Sequence, residues 1–376
     1  MNPLAPLQPC LAALAKHCDI LPAVGGAVET MIQPDADERD DELLSGEGVI
    51  DRFAERPAPR ALRTYTPCPP IPRPEHHRYR WFLDGTVRSY FLCTVLEGDR
   101  ALPVMLAQIG AALLHRCDNG RLEVHEARSK LLLLLNLSVV SPAVQNALKD
   151  AEAAGAVEVV DTEANTLFTP PSTAEPRERA QGMAKYRMRQ LEVELAHAVP
   201  PDDKGWLILD GTTDMGFYYA VPEPLKRAIG VSKSFTKTPR FRVGRGRGTL
   251  NLTHLLADLP DASRTPAFVS SQGRTAFWYV RLRPQGVVDY PLMGVVKVDM
   301  PLPPDEQAIN ANLVTALSRA LVAERTVSPY GRDARWHAHL YPIYCAEQAI
   351  KACFLAPEML KEGLAAQWRR LLAGGR

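Results

Sequence analysis

Two short apolar runs in this chain end in the same way. Tyr79-Arg80-Trp81-Phe82-Leu83 stops at Asp84-Gly85-Thr86, and Gly205-Trp206-Leu207-Ile208-Leu209 stops at Asp210-Gly211-Thr212. Runs of this length, rich in aromatic and branched residues and closed by a turn signal, predict buried strands. A second apolar stretch, Val87 to Val95, follows at once, so 79–97 predicts a hairpin around Asp84-Gly85-Thr86. Residues 101–116 predict a strand or an apolar helix. Arg121 to Leu135, with Glu123, Glu126, Arg128 and Lys130 among leucines, predicts a helix; 139–155 predicts another, and Val157 to Val160 a short strand. Residues 177–198 predict a long helix with Met183, Tyr186, Gln190, Leu191 and Leu195 as its buried stripe, stopped by Pro200-Pro201 because proline cannot continue a helix. Further strands are expected at 276–282 and 294–300, and helices at 306–324 and 346–354.

The first 75 residues have a different texture. Residues 8–31 carry Leu11, Leu14, Cys18 and Leu21 at helical spacing. An acidic stretch, 34–42, and seven prolines between Pro57 and Pro74 follow, the latter an extended lead-in. This divides the chain into an N-terminal helix, acidic loop and Pro-rich extension (1–75) and a main domain (76–376). A short amphipathic helix so separated is expected to need another surface for Leu11, Leu14 and Leu21.

Charge and cysteines narrow the classes. With 44 basic and 43 acidic side chains, the net charge of +1 selects no partner, so a nucleic-acid surface has to be a local patch. One exists: 226–247 holds eight Lys or Arg residues and no acid. Lys237, Arg240, Arg242, Arg245 and Arg247 suit a phosphate backbone, and the interleaved Phe235 and Phe241 suit unstacked bases. Seven cysteines without a Cys-x-x-Cys pair argue against a zinc site or a disulfide framework and for a cytoplasmic location. No apolar run approaches membrane-spanning length, so no membrane partner is expected. The two Asp-Gly strands supply the candidate chemistry. Acids delivered to one sheet edge by two strands offer the oxygen ligands that Mg²⁺ or Mn²⁺ prefers.

The order of these features resembles the NurA nucleases. Phe82-Leu83-Asp84-Gly85-Thr86, a helix with Glu192, and Leu207-Ile208-Leu209-Asp210-Gly211-Thr212 come in that family's order. Gly230-Val231-Ser232-Lys233-Ser234 is similar to its lysine motif. Trp278 to Leu282 and Val296 to Pro301 are similar to its late strands, and Tyr341-Pro342-Ile343-Tyr344 followed by Glu347 to its Tyr-Pro motif. The resemblance spans roughly 79–355. It implies an α/β fold with a ribonuclease-H-like mixed sheet flanked by helices, Mn²⁺-dependent DNA cleavage (Mg²⁺ as the other candidate ion), a homodimer, and a HerA-type hexameric ATPase as partner in end processing, repair or phage defence. Asp84, Glu192 and Asp210 are then the metal ligands, Lys233 the group that neutralises the scissile phosphate, and Tyr341 the group that orients water or phosphate. Glu192 is preferred to Glu194 because Leu191 and Leu195 flank it on the packed seam. The two are two residues apart and cannot point the same way. The N-terminal helix then has the dimer mate, the ring or a groove on its own domain as the surface it needs.

The sequence departs from the family where its C-terminal histidine belongs. Gln348 and Ala349 stand there, with His337 and His339 on the other side of Tyr341 as substitutes. This motivates a second reading, a scaffold of the same fold that binds DNA or the ATPase with weak or no cleavage. A phosphotransferase of the sugar-kinase and actin-like type also places Asp-Gly-Thr after strands, but no Gly-rich phosphate loop follows a strand here.

Overall fold

The structure is a computed structural model. It describes residues 4–24, 28, 30–31, 49–72, 78–155, 157–164, 174–213, 227–243, 248–270, 273, 275–286, 292–302, 308–327 and 336–374. The N-terminal helix, α1 (Gln8–His17), finds its surface within its own chain. Cys10, Leu11 and Leu14 are buried with Tyr90, Leu92, Val144, Leu148, Leu360 and Trp368. Strand β1 (Asp19–Pro22) then pairs with the sheet, Asp19 opposite Leu96 and Pro22 opposite Cys93. Of the three surfaces expected for this stripe, the dimer mate, the ring or a groove on its own domain, Leu11 and Leu14 take the last. Burying two leucines is worth about 1.5–3 kcal/mol each. Leu21 alone of the three stays exposed.

The run from Tyr79 does not turn at Asp84-Gly85. It continues as one long strand, β2 (Tyr79–Glu97), and the chain reverses at Gly98, whose φ of 63° suits glycine. Strand β3 (Arg100–Arg116) returns along it, and a turn at Gly120, with φ of 82°, leads into β4 (Leu122–Leu135). The helix expected over 121–135 is thus a strand. Its charged residues lie along an exposed half, and only the apolar end Leu132 to Leu135 is fully buried. Helix α2 (Pro142–Ala153), with Ser141 accepting the Val144 N–H as its cap, leads to β5 (Glu158–Asp161) beside β4.

The long helix α3 (Pro176–Ala196) precedes β6 (Trp206–Asp210), which lies parallel to β2. Strand β7 (Ala228–Ser232) is parallel to β6. A short strand, β8 (Arg240–Arg242), belongs to a separate small sheet. Strands β9 (Thr275–Arg281) and β10 (Val295–Pro301) complete the main sheet, β10 antiparallel to β7. The central order is β9-β10-β7-β6-β2-β3-β4-β5. The chain is thus a mixed α/β protein with a large mixed sheet packed between helices. Among the described residues no helix is long and apolar enough to cross a membrane.

Side chains alternate along a strand, so each strand divides its residues between the two faces. Trp81, Leu83, Leu207 and Leu209 pack against Leu191 and Leu195 of α3 on one face. Phe82, Ala112, Ile208 and Val231 lie on the other, with helices α4 (Ala311–Ala323) and α5 (Tyr341–Cys353). The last helix, α6 (Pro357–Gly374), covers α1, and Gln367 donates to the Leu4 carbonyl at 2.6 Å.

Candidate active site at the end of strand β6

The register of two parallel strands sets two acids side by side. Leu209 of β6 lies opposite Leu83 of β2, so the next step along both strands puts Asp210 beside Asp84. Neighbouring strands are about 4.8 Å apart, and equal register in parallel strands means the same face. That face belongs to α5. Gly85 faces α3, since a Cβ there would lie 2.0 Å from Met188 Sδ and 2.6 Å from Glu192 Oε1. Asp84, one residue earlier, faces the other way. Arg88, which shares its parity, sits 5.3 Å from the centre of the Phe354 ring at the end of α5.

Asp84 is 4% exposed and has neither a hydrogen-bond nor an ion-pair partner among the described residues. Its carboxyl is held well above the usual carboxylate range, first by burial and then by the negative charge of Asp210. Lys233, just past β7, puts its Nζ 2.7 Å from Asp210 Oδ2 and partly offsets the repulsion. The two acids sit where β6 stops and the chain bends away at Gly211, whose φ is 98°. The arrangement fits a divalent cation in one respect: a buried acid without a partner beside a second acid is a charge conflict that such an ion resolves. Yet among the described residues no three acidic, histidine or cysteine groups stand close enough to hold a metal.

Glu192 does not complete that set. It is 1% exposed on the α3 side of the sheet, pressed over Gly85, and Arg189 Nη1 donates to its Oε2 at 2.9 Å. The same nitrogen reaches the Asp210 carbonyl at 3.4 Å. Glu192 thus touches the end of β6 through Arg189, from the face opposite the two aspartates. Glu194 is 49% exposed and meets Arg128 at 3.4 Å. Glu194→Ala is accordingly expected to change stability by less than about 1 kcal/mol. Glu192→Gln, which removes the buried carboxylate from its pair with Arg189, is expected to cost about 3–5 kcal/mol in denaturant unfolding.

A third acid on the second face of the chain's late half braces the bend. Asp299 of β10 accepts the Thr213 backbone N–H at 2.8 Å and also the Thr213 hydroxyl through the same Oδ1. Gly230 of β7 lies opposite Asp299, and a Cβ there would be 2.6 Å from the Gly211 carbonyl and 2.7 Å from the Thr213 nitrogen. Two residues before Asp299, Lys297 is fully enclosed, and burial pushes its ammonium down to about 8 despite the nearby carboxylate.

The remaining expected residues stand apart. Tyr341 is the first residue of α5 and 54% exposed. Its hydroxyl is held above the usual tyrosine range mainly by a hydrogen bond with Cys345. His337 and His339 are both buried, His337 taking the Gly294 N–H on its Nδ1 at 2.9 Å. Arg240 and Arg242 are exposed on β8, Arg242 reaching Asp51 at 3.7 Å, and the exposed Lys237 lies 5.0 Å from the Phe235 ring. Arg245 and Arg247 lie outside the described residues. Phe235 and Phe241 are buried with Phe268, Phe277 and Tyr279, so the expectation that they stack on bases is corrected: they anchor this segment instead. Arg189, Asp299 and Glu347 were not among the expected site residues. The signal for Glu347 was its place between Ile343 and Ile350, one turn from each on the apolar side of α5.

No family model matches this chain, and a search of curated proteins returns no match. The site has to be argued from its geometry.

Proposed function

We propose that the chain is a metal-dependent nuclease that hydrolyses DNA phosphodiester bonds, on a ribonuclease-H-like core. The observation that carries this reading is the pairing of Asp84 with Asp210 on one face of two parallel strands, with Lys233 on Asp210. The strand order supports it. An antiparallel meander, β2-β3-β4, is extended beyond its first strand by the parallel β6 and β7, the arrangement such a core requires. Asp84 and Asp210 would hold Mn²⁺ or Mg²⁺. Such an ion, when bound, activates a water and neutralises charge on the phosphate.

Lys233 has two tasks in this scheme. Without substrate it neutralises Asp210. With Asp210 engaged elsewhere, its ammonium is placed to meet a phosphate oxygen. Arg189, on the Asp210 carbonyl, and Asp299, on the Thr213 N–H, hold the backbone that leaves Asp210 and so help fix the direction of its carboxylate. Lys237, Arg240 and Arg242 give the segment after Lys233 an exposed cationic edge for the DNA backbone. Each phosphate contact removed lowers the slope of log affinity against log salt by about 0.7–0.9. Replacing Arg240 and Arg242 by Ser is therefore expected to flatten the salt dependence of DNA binding in a filter or anisotropy titration. An unchanged slope would remove these residues from the interface.

The test of the reading is cleavage of linear DNA by the purified protein with Mn²⁺ and without nucleotide. A non-cutting scaffold, docked on DNA or on a ring ATPase of the HerA type, is the second reading. The absence of a three-ligand cluster among the described residues favours it. A homodimer and the ATPase belong to the proposal through the resemblance, and co-purification of the two proteins checks them.

A further inference from the structure

We propose that Glu347 of α5 is the third carboxylate of the Asp84–Asp210 site, an inference that rests on the metal-dependent reading above. Its ground is the way α5 lies along β2. The helix packs on the face that carries Phe82, Asp84, Thr86 and Arg88, with Ile343, Ala346 and Ile350 buried against it. Two points fix its position along the strand. Phe354, at the end of the helix, stacks with Arg88. A Cβ on Gly110, which pairs with Thr86, would lie 2.7 Å from Ile350 Cγ2, so Ile350 stands over the Thr86 row.

From these points the two elements can be walked in step. Glu347 is three residues before Ile350, about 4.5 Å along a helix at 1.5 Å per residue. Asp84 is two residues before Thr86, about 6.6 Å along a strand at 3.3 Å per residue. From the other anchor, seven helical residues cover about 10.5 Å and four strand residues about 13 Å. Both routes bring Glu347 over the Asp84 row. There the residue opposite Asp84 on β3 is the small, buried Ala112. The charge of Glu347 also weighs on Asp84 more than that of Glu192 does.

The local chemistry agrees. Among the described residues Asp84 is buried without a hydrogen-bond or ion-pair partner, and it is turned towards α5 and away from α3. Glu347 is partly exposed and held by Lys351 at 2.6 Å, one turn further along α5. Lys351 does for Glu347 what Lys233 does for Asp210: each lysine neutralises a carboxylate that a divalent cation would take over. The glutamate side chain has three torsions, enough to swing from Lys351 towards the strand.

The test is Mn²⁺ binding to the full-length protein, read by titration calorimetry and by thermal stabilisation, with cleavage as a separate readout. Glu347→Gln is expected to weaken Mn²⁺ binding by about 10-fold or more while the metal-free protein melts normally. Lys351→Met, which releases Glu347, is expected to tighten it. Glu194→Ala, an exposed change on α3, is expected to leave the affinity within about 3-fold. If Asp84→Asn abolishes binding and Glu347→Gln does not weaken it, this inference is wrong and the nuclease reading stands. If the unmodified protein binds no Mn²⁺, both fall.

Discussion

Asp84→Asn is expected to reduce Mn²⁺-dependent cleavage by more than about 100-fold, the scale on which removing one charge-stabilising group acts, and to stabilise the metal-free protein. The second effect follows from burial. Asp84 binds its proton more tightly in the folded chain than an unfolded aspartate, whose pKa is about 3.9. Its contribution to stability is fully present below that value and is lost as pH rises through the raised folded value. Melting temperature in chelator should therefore fall as pH rises above about 4 in the unmodified protein, and fall less in Asp84→Asn. Mn²⁺ should reverse the order by binding only the folded, ionised form. A variant that loses stability at pH 7 and keeps its cleavage would show Asp84 to be a packing residue.

Gly230→Ala is expected to cost about 3 kcal/mol or more, at the upper end for a single added methyl, and to lower cleavage with it. The methyl has nowhere to go, because its nearest neighbours are the backbone of Gly211 and Thr213 and the Asp299 carboxylate that holds them. A side-chain tip could move aside; a backbone bend pinned at both ends cannot. Since that bend begins at Asp210, the variant should show its loss of Mn²⁺ affinity even where it remains folded. Normal affinity in a folded Gly230→Ala would show that the bend does not position Asp210.

The comparison of pattern with structure turns on a few residues. Strand β6 was legible because an apolar run, a terminal acid and a glycine with positive φ agree there. The same letters at Asp84-Gly85 mislead. Gly85 is small so that Met188 and Glu192 can approach, a tertiary requirement that looks identical to a turn signal in a list of letters. Arg121 to Leu135 was misread because its charges fall at spacings a helix also uses. The Asn119-Gly120 step just before it was the overlooked hairpin signal. Asp210 and Lys233 come together because adjacent parallel strands keep a shared register. The place of Glu192 on the packed seam was legible from Leu191 and Leu195, but which face of the sheet its helix covers depends on packing that no local pattern records. Glu347 was hidden for the same reason, on a helix whose seat on the strand is set by Gly110 and Phe354.

The unbroken course of β2 makes the two aspartates mechanically unequal. Asp84 sits in the interior of its strand, paired with Ala112 of β3 and one residue past the last pair with β6, whereas Asp210 is the last residue of its own. Amide hydrogens flanking Asp84 should exchange only when the whole sheet opens, and those from Asp210 to Thr213 through smaller local openings. The centre then resembles a vice with one fixed jaw and one adjustable jaw. Whatever enters or leaves between them does so by displacement of the β6 end, and exchange rates there should report each step while those of β2 stay silent.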